Sequence, residues 1–253
     1  MQPKPYIITI GGLDPSSGAG ITSDIKTFET YGLYGLSVCT AVTVQDDASF
    51  KQCEWVRPQV VINQLEVLLN RFPVSVIKIG IVEHWKTLHN IIEKIKALKP
   101  EIKIIVDPIL KASAGFDFHH KESINYFDNI LDKCYLFTPN YNEIKGLYPE
   151  KSIEDTISYI SKKSNIYLKG GHRTDKKGWD ELYYGGIVQI NIEPIADKIY
   201  EKHGSGCVLA AAIASNLVKN MHLEDACRQA KYYTEQFLNS NTSLLGHHNY
   251  QNT

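Results

Sequence analysis

Short runs rich in β-branched residues alternate with stretches of helical periodicity along the whole chain, and this alternation limits the fold more than any other feature. It is the pattern of a parallel sheet whose crossovers pack as helices on its faces. Strands are predicted at 6–10, 36–44, 75–80, 102–107, 134–139 and 165–170, and the near-continuous Val and Ile of several marks them as central. Between them, Val61, Leu65, Leu68 and Phe72, then Leu88, Ile91, Ile95 and Leu98, recur at helical spacing. Residues 181–193 read as an antiparallel hairpin about Gly185 and Gly186. A small-residue helix at 205–218 follows, then a helix at 223–237 whose packing stripe is Ala226, Ala230, Tyr233 and Phe237. No linker, repeat or low-complexity segment interrupts the pattern, so a single domain over 1–253 is expected.

Charge narrows the partners. Lys and Arg total 27 against 28 Asp and Glu, a formal net charge of -1 without long runs of either sign. Nucleic-acid grooves and polybasic membrane anchors need clustered cations, so a small-molecule partner is expected, with no nucleic acid and no membrane. The five scattered cysteines form no C-x-x-C pair, and the apolar run at 6–10 is too short for a signal-peptide core. A reduced, cytoplasmic location is the expectation.

In open parallel sheets ligands bind beyond the carboxyl ends of the strands. Here the predicted exits carry GGLDPSSGAG at 11–20, Gln45, Gly80, Asp107, Thr138-Pro139-Asn140 and Lys169-Gly170-Gly171-His172. The glycine-rich opening satisfies neither G-x-G-x-x-G, since position 23 is Ser, nor the P-loop spacing. It reads as a turn with positive-φ glycines. Asp24 shares the inward face of the next helix with Ile21 and Phe28, either as a plain first-turn acid or as a carboxylate aimed at a substrate.

The sharpest signal is HGSGC at 203–207. Gly204 and Gly206 let consecutive N–H groups point outward where a helix begins, an anion nest backed by the helix dipole. Cys207 at that helix start is expected to have a lowered thiol pKa, unless it is simply a buried cysteine in a small-residue helix. Asn140 and Glu143, three apart, either hold the water shell of Mg²⁺ or form a capping box. Asp107 is a second candidate metal carboxylate, and Lys169 a candidate phosphate contact. The pairs His119-His120 and His247-His248 read as surface residues; His172 and His203 border glycine turns and stay undecided.

The segments GGLDPSSGAGITSDIKTFETYG, TAVTVQ, KIGI, VDPIL, TPNYNE, LKGGH, DELYYGG and HGSGC, in this order, resemble the hydroxymethylpyrimidine/phosphomethylpyrimidine kinases of thiamine biosynthesis, within the ribokinase-like superfamily. The resemblance covers nearly the whole chain. It implies a three-layer α/β ribokinase-like fold with a mostly parallel central sheet and helices on both faces. It further implies ATP and Mg²⁺, a pyrimidine alcohol and then its monophosphate as acceptors, and a homodimer. Carried over by position, Gly12, Ala19, Asp24 and Gln45 line the pyrimidine pocket with Ile81 and Ile109 as apolar walls. Cys207 is then the base or proton holder, and Gly204, Ser205 and Gly206 form the anion hole. Asn140 and Lys169 meet ATP phosphates, while Asp107 and Glu143 serve the metal. The chain departs from the family in having Ile81 where Met is usual, Asp46-Asp47 where Asn-Thr is usual, and Lys202 before His203; the loop 46–52 is expected to differ from the usual substrate cover. A pyridoxal kinase of the same fold, or a silent pyrimidine-phosphate sensor, are the alternatives.

Overall fold

In a computed structural model, residues 4–109, 125–171, 173, 175–186, 188–196 and 198–248 are described. His119, His120 and His172 lie outside them. Nine strands form one sheet: β1 (Tyr6–Leu13), β2 (Tyr34–Gln45), β3 (Phe50–Trp55), β4 (Val74–Ile79), β5 (Lys103–Val106), β6 (Leu136–Phe137), β7 (Asn165–Leu168), β8 (Asp180–Tyr184) and β9 (Val188–Ile192). The order is β3-β2-β1-β4-β5-β6-β7-β8-β9. The six strands from β2 to β7 in that order pair in parallel, while β3, β8 and β9 add antiparallel edges.

The period of two in each strand divides the interior into two cores. Ile8, Ile10, Ile77, Ile79, Ile104, Val106, Phe137, Ile166 and Leu168 face one side, beneath α2 (Pro58–Arg71), α3 (Trp85–Leu98), α4 (Asn125–Leu131), α5 (Tyr141–Leu147) and α6 (Ile153–Ser161). Ile7, Val76, Ile105, Leu136, Tyr167 and Leu182 face the other, beneath α1 (Gly20–Thr30), α7 (Ser205–Val218) and α8 (Leu223–Leu238). Helix α7 is buried continuously from Cys207 to Val218, as a helix apolar on all sides must be, and the stripe Ala226, Ala230, Tyr233 and Phe237 of α8 packs in the same core. The three-layer α/β arrangement expected from the sequence is therefore present.

Three readings need correction. β1 continues through Gly11, Gly12 and Leu13, so those glycines lie inside the strand, at a register irregularity with β2, rather than in an exit turn. The positive-φ positions of the opening segment are Ser17 and Gly20 instead. Residues 50–52, read as part of the loop 46–52, belong with 53–55 to β3. None of its side chains is fully buried, so no hydrophobic alternation announced it. The connection shrinks to a turn in which Asp46 Oδ1 accepts from the Ala48 and Ser49 amides at 2.9 and 2.6 Å. Finally, His248 is not a free surface residue: its ring packs on Phe237 and its Nδ1 bonds Tyr233 Oη at 2.8 Å.

Candidate active site

Strand order reverses between β1 and β4, which opens a crevice beyond their carboxyl ends. Gly12, Gly80, Ile81 and Ile109 lie close together there. A β-carbon at Gly12 would stand 2.5 Å from Ile81 Cδ1, so a side chain there would have to push that isoleucine aside; one at Gly80 would stand 3.2 Å from Lys78 Nζ and in ordinary contact, 3.8 Å, with Ile109 Cδ1. Thr40 Oγ1 holds the Ile81 carbonyl at 2.6 Å. Gln45 stands at the end of β2 opposite Phe50, and none of these contacts includes it.

The DPSSGAG and HGSGC segments meet directly. Gly204 is the N-cap of α7 with φ +73°, and a β-carbon there would fall 2.0 Å from the Gly18 carbonyl oxygen and 2.8 Å from Ala19 Cα. Both the left-handed backbone and the close approach require glycine. The amino ends of α1 and α7 are thus neighbours. α7 has neither a side-chain cap nor an acid in its first turn, so its first amides and dipole remain available to an anion, whereas at α1 the Asp14 carboxylate already accepts from the N-cap Ala19 amide.

Lys169, at the end of β7, reaches the same place. Its Nζ donates to Asp107 Oδ1 at 2.7 Å, lies 3.7 Å from Glu143 Oε2, and would be 3.4 Å from a β-carbon on Gly206. Burial opposes its charge, but Asp107 and Glu143 outweigh that and hold its pKa above the ordinary lysine value. Asn140 and Glu143 form the capping box of α5: Asn140 Oδ1 accepts from the Glu143 amide at 2.9 Å and Glu143 Oε2 from the Asn140 amide at 2.7 Å. Burial, with Asp107 nearby, raises Glu143 to about 7 despite Lys169. Among the described residues, no three His, Cys, Asp or Glu converge as a metal cage. Two carboxylates still suit Mg²⁺, which keeps most of its water shell, and Asp107 Oδ2 is buried with no hydrogen-bond partner.

Two expectations about charge are overturned. Asp24 does not face the crevice as a lone carboxylate: it is fully buried in the second turn of α1, where Oδ2 accepts from Thr9 Oγ1 at 2.5 Å and from Lys78 Nζ at 2.9 Å. Lys78 shares the Val76 face of β4 and is equally buried. Burial works against its charge, but Asp24 and then Cys207 and Asp107 hold its pKa above the usual value. Burial raises Asp24 in turn, yet two donors on one oxygen favour the ionised pair. The thiol of Cys207 is likewise raised, not lowered: burial pushes it up to about 11, with Lys78 partly offsetting and Asp24 and Asp107 adding. The helix start was read without the low-dielectric surroundings that α7 creates.

Lys78, Asp14 and His203 were not assigned roles from the sequence. A lysine inside the apolar run SVIKIG was the available signal for the first, because a buried ammonium needs a counter-ion.

A sheet edge that gathers bare amides, the buried Lys78, the partly exposed Lys169 and paired acids is built for positioning and charge neutralisation, which is what phosphoryl transfer demands. The class it defines is the small-molecule kinases. The family model described as phosphomethylpyrimidine kinase matches residues 14–252. The hydroxymethylpyrimidine/phosphomethylpyrimidine kinase of Aquifex aeolicus is 31% identical over 92% of this chain and 94% of its own. The phosphomethylpyrimidine kinase structure from Clostridium difficile superposes with a TM-score of 0.75 at 27% identity, covering 91% of this chain and 98% of that one. The pyridoxal kinase from Staphylococcus aureus in complex with AMP-PCP and pyridoxal gives 0.78 at 25%, over 94% and 89%. The chain belongs to the phosphomethylpyrimidine kinase family; it is a phosphotransferase of ribokinase-like fold that uses ATP. Among the described residues no helix is long and apolar enough to cross a membrane.

Proposed function

We propose that the chain phosphorylates 4-amino-5-hydroxymethyl-2-methylpyrimidine and then its monophosphate, as a cytoplasmic enzyme of thiamine biosynthesis. The observation that carries this reading is the backbone contact between Gly204 and Gly18-Ala19, which sets a nest of amides against the glycine-walled crevice. Gly12, Ala19, Gln45, Ile81 and Ile109 receive the heteroaromatic ring, the amide of Gln45 offering both a donor and an acceptor to an aminopyrimidine edge. The Ser205, Gly206 and Cys207 amides bind the migrating phosphoryl group, and the Lys169 ammonium neutralises it. Asp107 and Glu143 are the acids that would hold hydrated Mg²⁺, which supplies further neutralisation of phosphate charge when bound; Asn140 fixes Glu143 through the capping box.

With its thiol pushed up to about 11, Cys207 rests protonated and cannot itself take the acceptor's proton, so its part is to hydrogen-bond the acceptor oxygen while the hydroxyl proton leaves to the transferred phosphate or to water. A strong resting base is not required, because in a loose transition state the acceptor hydroxyl loses its proton late. Asp24 acts beneath the pocket through Lys78. A homodimer belongs to the same reading, and the exposed Val42 and Val44 on one face of β2 offer an apolar surface for a second copy.

A coupled ADP-release assay with the pyrimidine, its monophosphate and pyridoxal tests the assignment. Turnover of both pyrimidines is expected. Turnover of pyridoxal alone refutes it in favour of the pyridoxal reading, and tight pyrimidine binding without ADP in the presence of Mg²⁺ refutes it in favour of a sensor.

A further inference from the structure

His203 and Asp14 belong to the two segments that meet at the nest, and they are 189 positions apart in the chain. Both are buried, and His203 Nε2 lies 2.9 Å from Asp14 Oδ2. Asp14 is also the organising group of its own loop. Oδ2 accepts from the Ala19 amide at 2.8 Å, Oδ1 from the Ser16 amide at 2.8 Å, and the Ser16 hydroxyl bonds the same carboxylate. The loop so wound places Ser17 at φ +60°, a conformation that must be held by its surroundings. One carboxylate therefore shapes 14–19 and fastens it to the residue preceding the α7 N-cap.

His203 is held from behind as well. Its amide donates to the Leu244 carbonyl at 2.9 Å, Lys202 Nζ donates to the Asn241 carbonyl at 2.7 Å, and both the His203 ring and Leu245 crowd the Cα of Gly18 so closely that no β-carbon fits there. The lysine that departs from the family pattern thus reaches the segment after α8. Burial opposes the charge of Asp14, but His203, Ser16 and the Ala19 amide hold its carboxyl below the usual range, so the contact is charge-assisted at neutral pH.

We propose that Asp14 and His203 are positioning residues: a latch, braced by residues 241–245, that fixes the acceptor-side loop 14–19 to the phosphate nest 204–207 and so sets the distance between the two reacting partners. The inference deepens the kinase reading and rests on it. Neither residue is assigned a contact with substrate; each acts through the backbone it holds. Displacing a reacting group by about 1 Å costs on the order of 100-fold in rate.

The test compares His203→Leu, His203→Gln and Asp14→Asn with the wild-type chain under steady-state kinetics. In His203→Leu, kcat for the pyrimidine is expected to fall on the order of 100-fold, with KM for ATP and for the acceptor within about threefold. His203→Gln keeps a donor for Asp14 and recovers much of the loss, and combining Asp14→Asn with His203→Leu costs little more than either alone. Amide hydrogen exchange reads the latch without activity: in His203→Leu, residues 16–20 and 204–208 exchange faster together, by tenfold or more. Should His203→Leu not fold, His203→Gln and Asp14→Asn carry the same comparisons. A folded His203→Leu with wild-type kcat and unchanged exchange overturns the latch, as does strict additivity of the two substitutions. A wild-type chain inert toward every acceptor refutes the kinase reading instead, and the exchange experiment still decides the latch.

Discussion

Removing the Asp24 carboxylate gives the most quantitative test of the buried charges. Asp24 and Lys78 are each about 1% exposed and 2.9 Å apart, and Thr9 donates to the same carboxylate oxygen. Asp24→Ala leaves an ammonium without its counter-ion, buried between β4 and α1. Breaking such a pair from one side costs about 3–5 kcal/mol. A domain of this length loses roughly 2–4 °C in Tm per kcal/mol, so a fall on the order of 10 °C is expected. Asp24→Leu combined with Lys78→Met removes both charges and fills the space, and pairs replaced in this way are neutral or more stable by about 1–4 kcal/mol. Urea unfolding followed by circular dichroism measures both variants, with a constant m-value as the check that the same surface is exposed. The double variant should regain wild-type stability yet turn over slowly, because Cys207 then lacks the nearby ammonium. A loss below about 1 kcal/mol in Asp24→Ala, or a double variant as unstable as the single one, would refute the buried pair.

Gly204→Ala tests the junction. A side chain there needs a left-handed backbone, at about 1–2 kcal/mol, and meets the Gly18 carbonyl 2.0 Å away, so the variant should lose affinity for a non-hydrolysable ATP analogue as well as stability by calorimetry; unchanged values in both would exclude the contact. For Cys207, alkylation by iodoacetamide, followed at that site by mass spectrometry, should rise about tenfold per pH unit through pH 9 and level off only near 11, since the thiolate is the reactive form. A plateau near pH 8 would contradict the raised thiol. Cys207→Ala should remove most turnover while leaving the circular dichroism spectrum unchanged.

Periodicity made the architecture legible before any coordinates. The Val and Ile runs, the helical stripe of Ala226, Ala230, Tyr233 and Phe237, and the glycine hairpin at 185–186 each follow from local chemistry that needs no partner from elsewhere in the chain. The order GGLDPSSGAG through HGSGC was equally readable, since a nest needs glycines adjacent in sequence. β3 was not, because an edge strand with no fully buried side chain leaves no apolar alternation to find.

The charges of the site belonged to the tertiary structure alone. Asp24 and Lys78 are 54 residues apart, Lys169 and Asp107 62, and Asp14 and His203 189. Sequence spacing carries no information about such pairs; the fold brings them together. The raised Cys207 thiol has the same origin. A residue type and a helix start set one expectation, and the depth at which α7 lies beneath α1 and α8 reverses it, because desolvation depends on everything packed around the sulfur and not on its neighbours in the chain.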